Sequence, residues 1–548
     1  MALENFSLKD SLANFKEDML ESKKYWILSL FLIIVFFFAT MKFKNYSYPK
    51  FEIIALIFSC IASVFLISFY QGHRDEKNFY KTAFVVILVF GIVFSIITPI
   101  MCSHDEFEHF VRAEITSNGV INPEYNETPF TLEGITYDGS YMTIQSAYDL
   151  VQEGKVASDY IKGDLKQLVK NNNGTPVSDY IRMDTVNSSV MNTNADTMPI
   201  NTTKVPFHSA FTQNPFFGYL APAIGIALAK MLSLNSIWML WLGRICNVVV
   251  YAGLVAYAVK KTPILKMPLF VIACIPATLS QASSVSIDPM VNGLAILAIA
   301  YFLYYYNAPE NSLDYTDILK FSAIVLLLGL CKVTYFSFIM LLLFLPRDNF
   351  RQRKYYYSIV LVLLAFLGVM AVWSKFWVNP GIHNSWRYSL YLSKNNVDAL
   401  SQISDMMGHL KESFVTIFHL VGNLDNDLKV QSFIGTKFIS IYLLFIGTVY
   451  LLYPHEKIKP KTKIGALLVF CMVYFGTYIL YILTWNKVGD LHSHGIQARY
   501  FFPALGLIPI FLGINHVQKD TTEIDSYIIM LAIVFVIFRI LTLTLMVY

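Results

Sequence analysis

Apolar runs close to 20 residues long recur along most of the chain, separated by short polar loops that hold many of the lysines and arginines. A membrane hydrocarbon core about 30 Å thick takes roughly 20 helical residues to cross, so each run predicts a span. The clear ones cover 25–41, 51–70, 80–101, 236–259, 267–282, 288–306, 316–331, 333–346, 356–376, 433–452, 464–484, 500–516 and 524–547. A further apolar segment, 215–233 (PFFGYLAPAIGIALAKMLS), reads either as a span or as a helix lying along the interface.

The basic residues decide between those readings, because short cytoplasmic loops collect Lys and Arg. Lys16, Lys23 and Lys24 precede the first span; Arg74, Lys77 and Lys81 follow the second. Arg347, Arg351, Arg353 and Lys354 form a third cluster, and four lysines between 457 and 463 a fourth. If 215–233 crossed, Lys260, Lys261 and Lys266 would be forced outside; as a juxtamembrane helix it leaves them inside. The second choice predicts an all-α polytopic membrane protein of about thirteen transmembrane helices, with the N-terminus inside and the C-terminus outside. It divides the chain into a cytoplasmic tail (1–24), three spans (25–101), a large first extracytoplasmic loop (102–235), core spans (236–376), a second loop (377–432) and C-terminal spans (433–548). The stretch 396–420 spaces its apolar residues at three and four, as an amphipathic helix on the membrane surface would.

Composition agrees. Of 548 residues, 55% are hydrophobic and 15% charged, against roughly 25% charged in a soluble domain; mean hydropathy is +0.50. The basic residues make no stripe, so nothing points to nucleic acid. Five cysteines lie in apolar segments and Cys102 at the end of one, without CxxC spacing, which indicates neither a disulfide framework nor a zinc site. The first 24 residues are polar and mixed in charge, and read as a tail instead of a cleavable leader. No internal repeat is visible, and neither are broken helices in matching halves of the kind transporters carry.

Against this apolar background, five polar features map to the outer face. His104-Asp105-Glu106-Phe107-Glu108-His109 follows the third span; its carboxylates and imidazoles suit a base or a metal, or simply an acidic helix start. Arg244 and Asn247 lie within a span, where an Arg is expensive enough to suggest function, although it could snorkel to lipid phosphates. Asp288 opens a helix just before Pro289, which also fits an N-cap. Lys332, followed by Tyr335, is a lone cation between two apolar halves, as a hairpin lysine would be. His494, Gln497 and Arg499 precede the span that begins at 500, and fit a polar turn with a headgroup anchor equally well. Together they are more specific: cations suit a phosphate, and carboxylates suit deprotonation of a hydroxyl.

This combination resembles the GT-C class of membrane glycosyltransferases, which use polyprenyl-phosphate-linked sugars. HDEFEHFVRAEITSNG is similar to the carboxylate motif in that class's first outer loop. The run from NPFFGYLAPAIG through WLGRICNVVVYAG resembles its aminoarabinose and mannosyl transferases, and IPATLSQASSVSIDPMVNGLAI their next span, loop and acidic helix start. The blocks DEFEHF, SQASSVSID, LCKVTY and GIQARYFFP resemble, more closely, a bacterial family of largely uncharacterised multi-spanning proteins placed near that class. One departure is that Asn214-Pro215-Phe216 stands where tighter transferase motifs have Lys-Pro-Pro.

The resemblance implies a GT-C-like bundle in a bacterial cytoplasmic membrane, with its site outside the cytoplasm. The substrates would be a polyprenyl-phosphate sugar donor and a cell-surface glycan acceptor. Asp105 would be the base, with Glu106 the alternative. Glu106 and Asp288 would orient the acceptor or hold a divalent metal. Lys332, Arg244 and Arg499 would stabilise the leaving phosphate, and His109, Tyr335, His494 and Gln497 would complete the substrate site. No other cofactor is implied. Two other readings remain open: a transporter or flippase of a lipid-linked glycan, and a non-catalytic subunit of a wall-polysaccharide complex.

Overall fold

A computed structural model of the chain describes residues 8–41, 50–103, 105–132, 135–154, 195, 197–212, 214–386, 388, 399–413, 415, 436–485, 488–489, 496–514 and 520–547. Among them, eight helices are long and apolar enough to cross a membrane: Lys23–Thr40, Glu52–Gly72, Phe79–Ile97, Ile237–Lys261, Asp288–Tyr306, Arg353–His383, Pro460–Thr484 and Thr522–Thr544. Each falls on one of the thirteen expected spans, and the chain is an all-α polytopic membrane protein.

The five other expected spans depart from regular full-length helices. Tyr315–Cys331 and Thr436–Leu452 have 17 residues each, about 26 Å at 1.5 Å per residue. Two are interrupted: Lys266–Ala273 gives way to Pro276–Ala282, and Phe502–Leu505 to Ile508–Leu512. Pro276 and Pro509 sit in the first turn of each second piece, where the missing N–H costs nothing but the ring prevents continuation of the preceding helix. The continuous spans expected over 267–282 and 500–516 are thus broken ones. The fifth, Val333–Phe344, winds as a 3-10 helix of 12 residues. At about 2.0 Å per residue it reaches ~24 Å, where an α-helix of the same length would reach ~18 Å.

Leu220–Met231 has 12 residues, ~18 Å of helix, too short to cross. It packs along Ile237–Lys261 so closely that a Cβ on Gly225 would lie 2.2 Å from the Leu242 carbonyl oxygen. In the most apolar 18-residue stretches of Asp288–Tyr306 and Thr522–Thr544, 78% and 83% of the residues are buried, against 11% in that of Arg353–His383, which lies on the periphery. That peripheral helix continues past the expected boundary at 376, through a π-turn at Ser374–Val378.

Contacts between loops sort the two ends of the bundle. Lys266 Nζ donates to the Glu76 carbonyl at 2.9 Å, Lys459 N to the Tyr306 hydroxyl at 2.9 Å, and Asn311 N to the Asp348 carbonyl at 2.9 Å. The loops bearing the basic clusters therefore meet at one end. The segment after the third span lies at the other. There the helix Glu106–Ser117 is joined by two antiparallel pairs, β1 (Phe130–Leu132) with β2 (Ile135–Tyr137) and β3 (Tyr141–Ile144) with β4 (Lys204–Phe207). Lys230 Nζ bonds Glu114 Oε1 at 2.8 Å and pins Leu220–Met231 to that helix. In the expected amphipathic stretch, the helix Ala399–Gly408 docks through Gln402 Nε2 on the Ile482 carbonyl at 3.3 Å.

Candidate functional site

Asp105 is the hinge between the third span and the helix Glu106–Ser117. Its backbone is left-handed, with φ 55° and ψ 16°, a conformation that costs a non-glycine residue on the order of 1 kcal/mol. Its side chain does not cap the helix it precedes. It is bonded instead to the Arg499 guanidinium, 394 residues away.

Arg499 continues the chain of charges. Its second terminal nitrogen bonds Asp288 Oδ2 at 3.2 Å, and Asp288 Oδ1 lies 3.4 Å from Lys332 Nζ. Asp288 is in the first turn of its helix but makes no cap, so the capping explanation does not describe it. Gln281 Nε2 donates to Asp288 Oδ2 at 3.1 Å. Lys332 stands at the junction of Tyr315–Cys331 and the 3-10 helix, with its ammonium 4.0 Å from the centre of the Tyr500 ring, a cation–π contact. Neither a loose hairpin lysine nor a headgroup-anchoring arginine fits these contacts.

Exposure differs along this line of four. The side chains of Asp288 and Arg499 are 7% and 3% exposed, while Asp105 and Lys332 are 32% and 27% exposed. A nearly buried ion pair therefore holds an accessible carboxylate at one end and an accessible ammonium at the other. Asp105, Asp288, Lys332 and Arg499, expected on separate loops of one face, meet in one constellation.

Glu106 and Arg244 meet each other below it, with both side chains at 0% exposure. Arg244 Nε donates to Glu106 Oε1 at 2.8 Å, and a terminal nitrogen to Oε2 at 2.5 Å. The remaining donors reach the Ser95, Thr98 and Pro99 carbonyls at 2.7–3.0 Å. Val285 N adds a bond to Glu106 Oε1 at 2.8 Å. Arg244 neither snorkels nor has a donor left for a phosphate, and both Glu106 oxygens are occupied. The pair ties three segments: the turn 95–99, the start of Glu106–Ser117 and the loop 283–287. Asn247 reinforces that loop by donating to the Ser284 and Ser286 carbonyls at 2.9 and 3.0 Å.

His109 and Tyr335 also serve as supports. His109 is 3% exposed; its Nδ1 lies 2.5 Å from the Tyr219 hydroxyl and its ring stacks 4.3 Å from Phe211. Burial pushes this imidazole down to about 4, so it is neutral near pH 7 and too enclosed to meet a substrate. The Tyr335 hydroxyl donates to the Tyr500 carbonyl at 2.7 Å and fixes the ring beneath Lys332. Gln497 is half-buried, and its side-chain oxygen is buried with no hydrogen-bond partner among the described residues. His494 lies outside the described residues. Asn214, at the position of the absent lysine, donates to the Tyr219 hydroxyl at 2.8 Å.

Sequence reasoning does not single out Gln281 or Tyr500, and it names Glu108 only as part of the segment 104–109. Glu108 is 3% exposed and accepts from Ala210 N at 2.5 Å and from Trp386 Nε1 at 2.8 Å, joining the helix Glu106–Ser117 to the segment just after Arg353–His383. Its place beside Asp105 and Glu106 is the only signal the sequence offers. Among the described residues, no three His, Cys, Asp or Glu side chains are placed to hold a metal ion. Glu106 and Asp288 are each committed to cations, so their geometry does not fit the metal-holding role expected of them.

A family model described as a predicted membrane protein (DUF2142) matches residues 88–508, which include every expected site residue. No curated protein and no solved structure matches the chain.

Proposed function

The chain belongs to the DUF2142 family of predicted membrane proteins, and we propose that it is a glycosyltransferase of GT-C type, moving a sugar from a polyprenyl-phosphate carrier to a cell-surface glycan outside a bacterial cytoplasmic membrane. The observation that carries this reading is the separation of accessible Asp105 from accessible Lys332 by the buried Arg499–Asp288 pair. Asp105 takes the proton of the acceptor hydroxyl. The acceptor oxygen forms the new bond to the anomeric carbon as the bond from that carbon to the phosphate oxygen breaks. The electron pair leaves with the polyprenyl phosphate, whose charge Lys332 and Arg499 stabilise. Fixed cations aimed at developing charge supply the compensation without a strong acid. Glu106 and Arg244 are positioning residues that hold the hinge at Asp105.

Sidedness follows from the basic loops, which gather at the end away from this constellation and belong inside by the positive-inside rule. The test is transfer of labelled sugar from a synthetic polyprenyl-phosphate donor in proteoliposomes. Asp105→Asn keeps shape but cannot take a proton, and loss of a general base lowers turnover by about 10²–10⁴-fold. Lys332→Ala weakens donor binding as well as turnover. Full activity of both variants, or no transfer by the parent protein, defeats the proposal.

One observation favours a lipid-linked-glycan transporter: the helices interrupted at 274–275 and 506–507, a feature transporters place at their binding sites. Movement of labelled lipid-linked sugar across the bilayer without cleavage distinguishes that reading.

A further inference from the structure

His208, which follows β4, is 6% exposed, and among the described residues neither ring nitrogen has a hydrogen-bond partner. A buried, unanswered polar atom is destabilising, so native structures rarely keep two on one side chain without a use. The His208 ring lies 4.5 Å from that of Tyr137 and 6.4 Å from that of Phe130, and those two rings stack at 5.4 Å. Both aromatic residues are half-buried. We propose that Phe130, Tyr137 and His208 form a neutral-sugar subsite that holds one residue of the acceptor glycan at the same end of the bundle as Asp105.

The chemistry matches a pyranose. Its C–H faces pack on aromatic rings, while its hydroxyls both donate and accept, as a neutral imidazole requires of its two nitrogens. Burial pushes the His208 imidazole down to about 4, so near pH 7 it presents a neutral ring with one donor and one acceptor, which hydroxyls can answer. The nitrogens are enclosed, so the sugar enters by lifting the cover. β1 and β2 supply one: a pair of three-residue strands with no third strand among the described residues, marginal as a unit in water.

The chain from His208 leads to the constellation. Ala210 N bonds Glu108, and the Phe211 ring stacks on His109, both on the first turns after Asp105. The three residues from His208 to Phe211 span at most ~11 Å. The subsite is thus tied to the helix that begins just after Asp105. The word acceptor rests on the transferase reading; the sugar subsite does not.

The test uses the full chain in nanodiscs, with neutral oligosaccharides cleaved from the envelope of the bacterium that encodes it as the probe, followed by saturation-transfer NMR and calorimetry. His208→Phe keeps a ring and removes both nitrogens; Tyr137→Ala removes the packing face. Each is expected to weaken binding roughly tenfold or more, the equivalent of one good hydrogen bond at about 1.4 kcal/mol. Undecaprenyl-phosphate binding by His208→Phe should be unchanged, and its unliganded melting temperature should not fall. No oligosaccharide binding by the parent, parent-like binding by both variants, or a marked loss of stability in His208→Phe overturns the subsite. If binding behaves as expected while no sugar is transferred, the transferase reading fails and the subsite stands.

Discussion

Replacing Arg244 by Met tests what braces the hinge beneath Asp105. Met fills much of the same volume but removes two bonds to Glu106 and three to the Ser95, Thr98 and Pro99 carbonyls. The Glu106 carboxylate then stays buried with the Val285 N–H as its remaining partner among these contacts. Breaking one side of a buried pair costs about 3–5 kcal/mol, mostly through the stranded charge. Glu106→Gln is milder, because the amide oxygen still accepts from Val285 or Arg244. The double variant Glu106→Gln/Arg244→Met should cost less than the two singles summed, with a coupling above ~1.5 kcal/mol. Unfolding free energies in mixed micelles, measured for parent, singles and double, give that coupling directly. A single-variant cost below ~1 kcal/mol, or strict additivity, refutes a brace made by this pair.

Gly225→Ala should separate Leu220–Met231 from Ile237–Lys261, since the new Cβ meets backbone at 2.2 and 2.6 Å; a loss of about 1–3 kcal/mol is expected in the same unfolding assay, and no loss contradicts the packing. His109 and His208 are both held near 4 against 6.5 when free, so the unfolded chain takes protons that the folded one refuses. Stability should be flat above pH 6.5 and fall from there towards pH 4, by on the order of 2 kcal/mol per imidazole at pH 5. His208→Phe should remove about half of that slope, and a flat profile in the parent would rule out the buried neutral imidazoles. For topology, a lone cysteine at position 261 should resist an impermeant thiol reagent from outside while one at 105 reacts; outside labelling at 261 reverses the sidedness.

The spans are legible because a bilayer demands length and hydropathy, and both are properties of a local window. The irregular segments are less so. Val333–Phe344 is mostly apolar, with Thr334 and Ser337 its small polar residues, so no periodicity distinguishes 3-10 from α winding. In the sequence 267–282 and 500–516 read as continuous spans, because an unbroken apolar run masks Pro276 and Pro509, each in the first turn of a second piece. Asp105, Asp288, Lys332 and Arg499 stand out because charge is costly in apolar surroundings, whatever its partner. Their roles are not written there. Arg244 and Arg499 look equivalent as lone arginines, and only their partners, 138 and 394 residues away, make one a brace and the other part of an accessible line. Gln281 and Tyr500 escape notice because an amide and a ring draw no attention until their neighbours are known.

The most direct measurement is a structure of the full chain in nanodiscs with a polyprenyl-phosphate sugar bound. The phosphate is expected within hydrogen-bond reach of Lys332 Nζ, with the anomeric carbon on the side facing Asp105 and the isoprenoid chain leaving into the membrane. A phosphate seated at the basic-loop end of the bundle, or at this end with Asp105 turned away and sealed from the sugar, would contradict a transferase site at this constellation.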